Sequence, residues 1–219
     1  MTARIVPDGP AGRRAALEAL QAGGIVAIPT DTVYGIGVGP GVPGGIEALF
    51  AAKGRPPDRA VVLLLGDAAD AEAIAEPTRA GDVLAKAFWP GGLSIVLPRR
   101  PTARFRLSLA EDGDAPPTIG LRVPNHPAPR FLASALGALP TTSANRSRAP
   151  EAGTAAAIRE QLGESLAVIV DAGPAPGGSP STVADATGDV VRILRHGAIG
   201  IDVIAAVLRA AGLPEPVGR

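Results

Sequence analysis

The chain has 219 residues, 46% of them hydrophobic, which is enough to bury a substantial core. Its 21 basic and 21 acidic residues cancel, so the basic excess of a dedicated nucleic-acid binder is missing. There is no cysteine and only two histidines, His126 and His196, which excludes disulfides, thiolate nucleophiles and zinc sites built on Cys or clustered His.

The 28 glycines and 23 prolines punctuate the chain clearly. Residues 12–22 read as a helix, with Ala16, Leu17 and Leu20 on one face and Gly23-Gly24 as its stop. Residues 25–28 are a first strand. Residues 46–53 form a short amphipathic helix and 61–65 a strand. Residues 80–88 are helical up to Trp89-Pro90, and 93–97 and 119–123 are strands. The irregular segment between them, 99–117, reads as a mobile surface excursion. A helix over 128–136 begins beside Pro127, followed by a strand at 139–142, a helix at 154–162 and a strand at 166–170. Residues 174–180 are a Gly/Pro-rich loop. Residues 182–184 and 190–194 pair as a hairpin over Thr187-Gly188-Asp189. A C-terminal helix spans about 202–211.

Strands mixed with helices, some joined by links too short for a crossover helix, predict an α/β fold with a mixed sheet. No repeat and no long linker interrupts it, so one domain over 1–219 is expected, with its core at about 12–200. No run reaches the roughly 18 apolar residues of a membrane helix. Residues 1–10 hold no apolar signal region. A soluble cytoplasmic protein is expected.

Polar clusters gather where ligands bind in open α/β sheets, at strand ends. Pro29-Thr30-Asp31-Thr32-Val33-Tyr34-Gly35 follows the first strand. Arg122-Val123-Pro124-Asn125-His126 and Thr141-Thr142-Ser143-Ala144-Asn145 follow later ones. Pro180-Ser181-Thr182 opens another, and Lys53-Gly54-Arg55-Pro56 ends a helix. Each alone has a plain structural reading. Thr30 to Thr32 could be a local turn, Lys53 and Arg55 could answer a helix C-terminus, and Ser143 and Asn145 could cap a helix. Together, on one sheet edge, they predict a binding site. Lys53, Arg55, Arg122 and Arg195 offer cations, and Ser143, Asn145, Ser181 and Thr182 offer neutral donors, a set suited to a substrate with several anionic groups. Lys53 is one of two lysines beside 19 arginines, which singles it out. There is no G-x-x-x-x-G-K-[ST] phosphate loop, no dinucleotide fingerprint around residues 35–45, and no convincing Ser-His-Asp set. His126, among prolines and without an evident acid partner, is as readily structural as functional.

In this order the clusters resemble the YrdC-like family of threonylcarbamoyl-adenylate synthases. The matching motifs are Pro-Thr-Asp-Thr-Val-Tyr-Gly at 29–35, Lys-Gly-Arg-Pro at 53–56 and Trp-Pro-Gly at 89–91. They continue with Arg-Val-Pro at 122–124, Ser-Ala-Asn at 143–145, Ser-Thr-Val at 181–183 and Arg-His-Gly at 195–197. The resemblance covers about 12–200. It implies a twisted open sheet with a large concave cavity. It implies a reaction of L-threonine, bicarbonate and ATP, giving threonylcarbamoyl-AMP and pyrophosphate for N6-threonylcarbamoyladenosine modification of tRNA. Lys53, Arg55, Ser143 and Asn145 would form a tetrad around ATP and the reacting groups. Thr30, Thr32, Tyr34, Arg122, Thr141 and Ser181 would help hold threonine and nucleotide, and Arg195 would reach the triphosphate. Mg²⁺ would arrive with ATP, with no protein metal site. The product would pass to a downstream tRNA threonylcarbamoyltransferase complex.

The chain departs from the family pattern in places. Arg59-Ala60-Val61 stands where Pro-Leu is usual. Ser94 replaces a Thr and keeps its hydroxyl. Gly39-Pro40-Gly41 replaces a common Asp-Ala and is expected to reshape the cavity rim. After Gly200 only about one helix remains, as in the short form. Two other readings compete. One is a carbamoyl-adenylate former using carbamoyl phosphate, whose relatives carry zinc-finger-like cysteines absent here. The other is an RNA-binding module, for which zero net charge leaves at most a weak local contact.

Overall fold

The computed structural model describes residues 2–109 and 117–218. Strand β1 (Arg4–Pro7) leads into helix α1 (Pro10–Gln21), which tolerates Pro10 because a first-turn N–H has no intrahelical partner. Gly23 follows the helix with φ 84°, a conformation open to glycine. Then come β2 (Val26–Ile28), β3 (Gly35–Gly37), α2 (Gly45–Lys53), β4 (Val62–Leu64) and α3 (Arg79–Phe88). They are followed by β5 (Leu93–Pro98), β6 (Thr118–Arg122), α4 (Pro127–Leu136), β7 (Leu139–Ser143) and α5 (Ala155–Leu162). The last elements are β8 (Val168–Asp171), β9 (Thr182–Asp185), β10 (Arg192–Arg195), α6 (Ile201–Ala210) and β11 (Val217–Gly218).

Among the described residues the strands form one sheet, ordered β1-β8-β2-β3-β7-β4-β6-β5-β9-β10-β11. It is mixed, as expected: β1, β8 and β2 are parallel, β2-β3-β7-β4 alternate, and β9-β10 is the predicted antiparallel hairpin. Side chains alternate across it. Val26, Ile28, Val168 and Val170 pack with Leu139 of β7 and with α1 and α4 through Ala16, Leu20 and Leu132. Ala27, Ile36, Leu63 and Ile169 face the larger cluster, which includes Leu49 and Phe50 of α2 and Leu84 of α3. No helix among the described residues is long and apolar enough to cross a membrane.

Each predicted strand and helix has a counterpart, but β1, β3 and β11 were not foreseen. β3 is hidden because two of its three residues are glycine, which reads as a turn. The glycines are required by packing: a Cβ on Gly35 would lie 2.8 Å from Thr141 Cγ2, and one on Gly37 3.1 Å from the Pro140 carbonyl.

Two further expectations change. Residues 99–109 are not a loose excursion. Arg99 is buried and donates from Nε to the Ala103 carbonyl at 2.8 Å, and Leu107 is 1% exposed. The 110–116 part of that expectation lies outside the described residues. The segment from Gly39 to Gly45 does not rim the main cavity. It lines a separate, smaller one of about 270 Å³ with Arg104, Phe105 and Arg106.

His126 is structural. It is the N-cap of α4, and its Nδ1 accepts the Ala128 N–H at 3.2 Å. It also has acidic neighbours that sequence spacing concealed, Asp8 and Asp31, brought in from the β1–α1 link and the β2–β3 loop. Burial, stronger than the pull of Asp8, lowers its pKa below 6.5, so the folded state favours the neutral, accepting ring. The sign follows: the cap's stability is fully present above the unfolded pKa and is lost as pH falls through the folded one. Urea unfolding of wild type and His126→Ala should therefore differ by about 1 kcal/mol at pH 8, and the difference should shrink as pH falls below 6.5.

Candidate active site

One cavity of about 380 Å³ is lined by Thr30, Tyr34, Arg55, Arg122, Thr141, Ser143, Ser181 and Arg195, with strands β3 to β10 contributing its wall. It does not lie along one sheet edge. β6 and β10 run against β2, β7, β5 and β9, so Arg122 and Ser143 end their strands at opposite limits of the sheet. The sheet curls until these limits meet: Arg122 Nη1 donates to Thr32 Oγ1 at 3.0 Å.

The loop after β2 is self-bonded. Thr30 Oγ1 donates to the Val33 carbonyl at 2.6 Å and accepts the Thr32 N–H at 3.1 Å. Tyr34 is 1% exposed, and its hydroxyl donates to the Gly173 carbonyl at 2.7 Å and accepts Ala172 N–H at 3.0 Å. Thr141 Oγ1 donates back to Leu139 O at 3.0 Å.

Lys53 ends α2, and Gly54 terminates the helix at φ 59°, which turns Arg55 back over the sheet. Lys53 Nζ, 4% exposed as a residue, meets four oxygens: Ser143 O and Asn145 O at 2.5 Å each, Asn145 Oδ1 at 3.1 Å and Ser143 Oγ at 3.4 Å. Its three protons are thus committed to the 143–145 turn. Ser143 Oγ donates to Asn145 Oδ1 at 2.7 Å, and Asn145 Nδ2 to Ala149 O at 2.7 Å. Neither residue caps a helix; Thr154 caps α5. Ser143 lines the cavity, whereas Lys53, Asn145 and Thr32 stand behind the wall. Burial, reinforced by the charge of Arg55 and opposed by Glu151, pushes Lys53 down to about 8.

Arg55 is held by Arg59 O and Ala60 O at 2.8 Å each and by Thr142 Oγ1 at 3.2 Å. Arg122, 5% exposed, donates to Gly91 O at 2.9 Å, to Thr32 and to Asp31 Oδ1 at 2.7 Å. Asp31 also accepts the Asn125 N–H at 3.0 Å. Three of the five Arg122 N–H groups are therefore used by protein, and two remain. Arg195 holds Ser181 at three points, from Nε and Nη2 to its carbonyl at 3.0 and 2.8 Å and from Nη2 to its hydroxyl at 2.9 Å. Gly197 permits this: a Cβ there would lie 2.2 Å from Pro180 O.

Desolvation lowers the pKa of both Arg55 and Arg122, and the charge of Arg195 lowers each further. Three guanidiniums thus share one cavity, with Arg195 acting against each of the other two and Asp31 opposing it at Arg122. Sequence reasoning missed Asp31 as the partner of Arg122, Thr142 as the support of Arg55, and the contact of Ser94 with Ser181. Asp31 could have been found, since a carboxylate inside a Thr-rich turn invites a cation.

Such an arrangement defines a mixed-sheet α/β protein with one cavity lined by three guanidiniums. The Sua5/YciO/YrdC family model, described as telomere recombination, matches residues 18–197, and the chain belongs to that family. A Mycobacterium tuberculosis protein is 40% identical over 195 residues, covering 88% of this chain and 87% of its own. The threonylcarbamoyl-AMP synthase of Bacillus subtilis is 33% identical over 187 residues, 84% of this chain and 53% of that protein. The structure of Pyrococcus abyssi Sua5 complexed with L-threonine superposes with a TM-score of 0.85 at 28% identity, covering all of this chain and 62% of that one.

Arg122 separates two roles by experiment. Arg122→Ala removes the partner of Asp31 and the tie to Gly91, so it should destabilise the protein by about 2–4 kcal/mol in urea unfolding. A melting curve identical to wild type would make Arg122 a ligand contact only.

Proposed function

We propose that the protein is a threonylcarbamoyl-AMP synthase, making threonylcarbamoyl-AMP and pyrophosphate from L-threonine, bicarbonate and ATP. The observation that carries this reading is the meeting of Arg55, Arg122 and Arg195 around one cavity, a repulsion that a bound polyanion relieves. Family membership and the named relatives support the same choice. The work would take place in the cytoplasm, and the adenylate would pass to a tRNA-modifying transferase.

The geometry supports a division of labour. Arg55 and Arg195 take phosphate oxygens, for which a planar fork suits. The two spare N–H groups of Arg122 and the hydroxyl of Ser181 take threonine. Val62, Val96, Val183 and Leu194 give the cavity apolar surface for the base. Threonine's amine and bicarbonate condense to a carbamate with loss of water. A carbamate oxygen then attacks the α-phosphorus and pyrophosphate leaves with the bridging oxygen. No covalent enzyme intermediate is required, so rate enhancement comes from positioning and charge. Lys53 contributes by fixing the 143–145 turn and by its buried positive charge behind Ser143.

Mg²⁺ enters only as the counter-ion of ATP. Among the described residues no group of three or more His, Asp or Glu is arranged to hold a metal, and Mg²⁺ keeps phosphate and water ligands readily. Bound there, it would screen the phosphate charge.

Pyrophosphate release tests the reading. It should require threonine and bicarbonate together, with serine weaker by roughly 1–3 kcal/mol for the missing methyl and carbamoyl phosphate inert. Since the cationic form of Lys53 is the useful one and its pKa lies at about 8, kcat/KM for ATP should be level at pH 7 and fall as pH rises through 8. Release driven by carbamoyl phosphate alone would refute the substrate assignment.

A further inference from the structure

Ser94, the second residue of β5, lies beside the start of β9, where Leu93 pairs with Thr182 and the Thr182 N–H donates to Gly92 O at 3.0 Å. This register sets Ser94 Oγ 2.9 Å from Ser181 Oγ. Both serines are buried, at 1% and 5% exposure, and both line the cavity. Ser181 Oγ also accepts from Arg195 Nη2 at 2.9 Å.

A hydroxyl has two acceptor sites and one proton. Arg195, always a cation, fills one acceptor site of Ser181. The bond between the two serines can run either way; where Ser94 is the donor, it fills the second acceptor site of Ser181. In that polarity the proton of Ser181 has no acceptor among the described residues and is free to face the cavity that Ser181 lines, sharpened as a donor by the guanidinium behind it. We infer that Ser94 is a positioning residue, which orients the Ser181 hydroxyl as a hydrogen-bond donor to an oxygen of the amino-acid substrate. The inference rests on the synthase reading above.

The reverse polarity, with Ser181 donating to Ser94, would make Ser94 the ligand contact, and a double-mutant cycle separates the two. The KM for L-threonine and for ATP should be measured for Ser94→Ala, Ser94→Thr, Ser181→Ala and the double Ala variant, with melting temperature alongside. Ser94→Ala should raise the threonine KM roughly 3- to 10-fold, the loss expected of one neutral hydrogen bond, and leave the ATP KM unchanged. Ser94→Thr should match wild type. Ser181→Ala should lose more, and adding Ser94→Ala to it should change nothing further. An equal Ser94→Ala effect in both backgrounds would overturn the inference, as would a Ser94→Thr variant as impaired as Ser94→Ala. Wild-type turnover without threonine would instead overturn the synthase reading, so the two failures are distinct.

Discussion

A buried ammonium at the end of α2 organises the centre of this protein. Lys53 leaves its helix into a space where four oxygens of Ser143 and Asn145 converge within 3.4 Å. Burying one charge is costly unless it is hydrogen-bonded, and here the bonds come from a turn that would otherwise have unpaired carbonyls. Charge and turn therefore require each other. The turn is also sewn to its surroundings: Ala144 N–H donates to Tyr34 O and Ser147 N–H to Lys53 O, both at 2.8 Å. Three segments distant in sequence, near residues 34, 53 and 145, are fixed by that one group.

A second charged junction, Arg122 with Asp31, Thr32 and Gly91, does the same at the other limit of the sheet. Its three bonds hold the β2–β3 loop and the Trp89–Gly92 turn against the end of β6. Between these junctions the cavity wall is held by bonds within the protein. Such preorganisation lets cations face a developing negative charge without moving at the moment of reaction. The same arrangement costs the free protein stability, because Arg195 acts against both Arg55 and Arg122, of which only Arg122 has a direct carboxylate partner, Asp31. An anion that enters gains what the empty site lacks.

Much of this was legible in the sequence, for local reasons. Apolar runs bounded by Gly and Pro located the strands of the sheet's interior, and caps located the helices. Motif residues were legible as a set because of their order and spacing, and because Lys and Asn are rare, with two of each in the chain. What stayed hidden depended on tertiary contact. β3 reads as a turn until β7 is laid beside it and Gly35 is seen to be required by Thr141. The division of the site into wall and support is equally invisible in one dimension. Lys53 and Asn145 share motifs with Arg55 and Ser143, yet they stand behind the cavity that their neighbours line. Spacing also misassigned direction, since strand ends were expected along one edge, whereas antiparallel pairs send them to opposite limits of a curled sheet. His126 appeared isolated only because Asp8 and Asp31 reach it from elsewhere in the chain.

The account stands on the claim that this pocket joins a carbamate of threonine to the α-phosphate of ATP. A single-turnover reaction with carbon-labelled bicarbonate, resolved by chromatography under mild conditions, tests that bond directly. Label should appear in an acid-labile adenylate that also contains threonine, in amount equal to the pyrophosphate released. Pyrophosphate released with no label in the nucleotide product would contradict it.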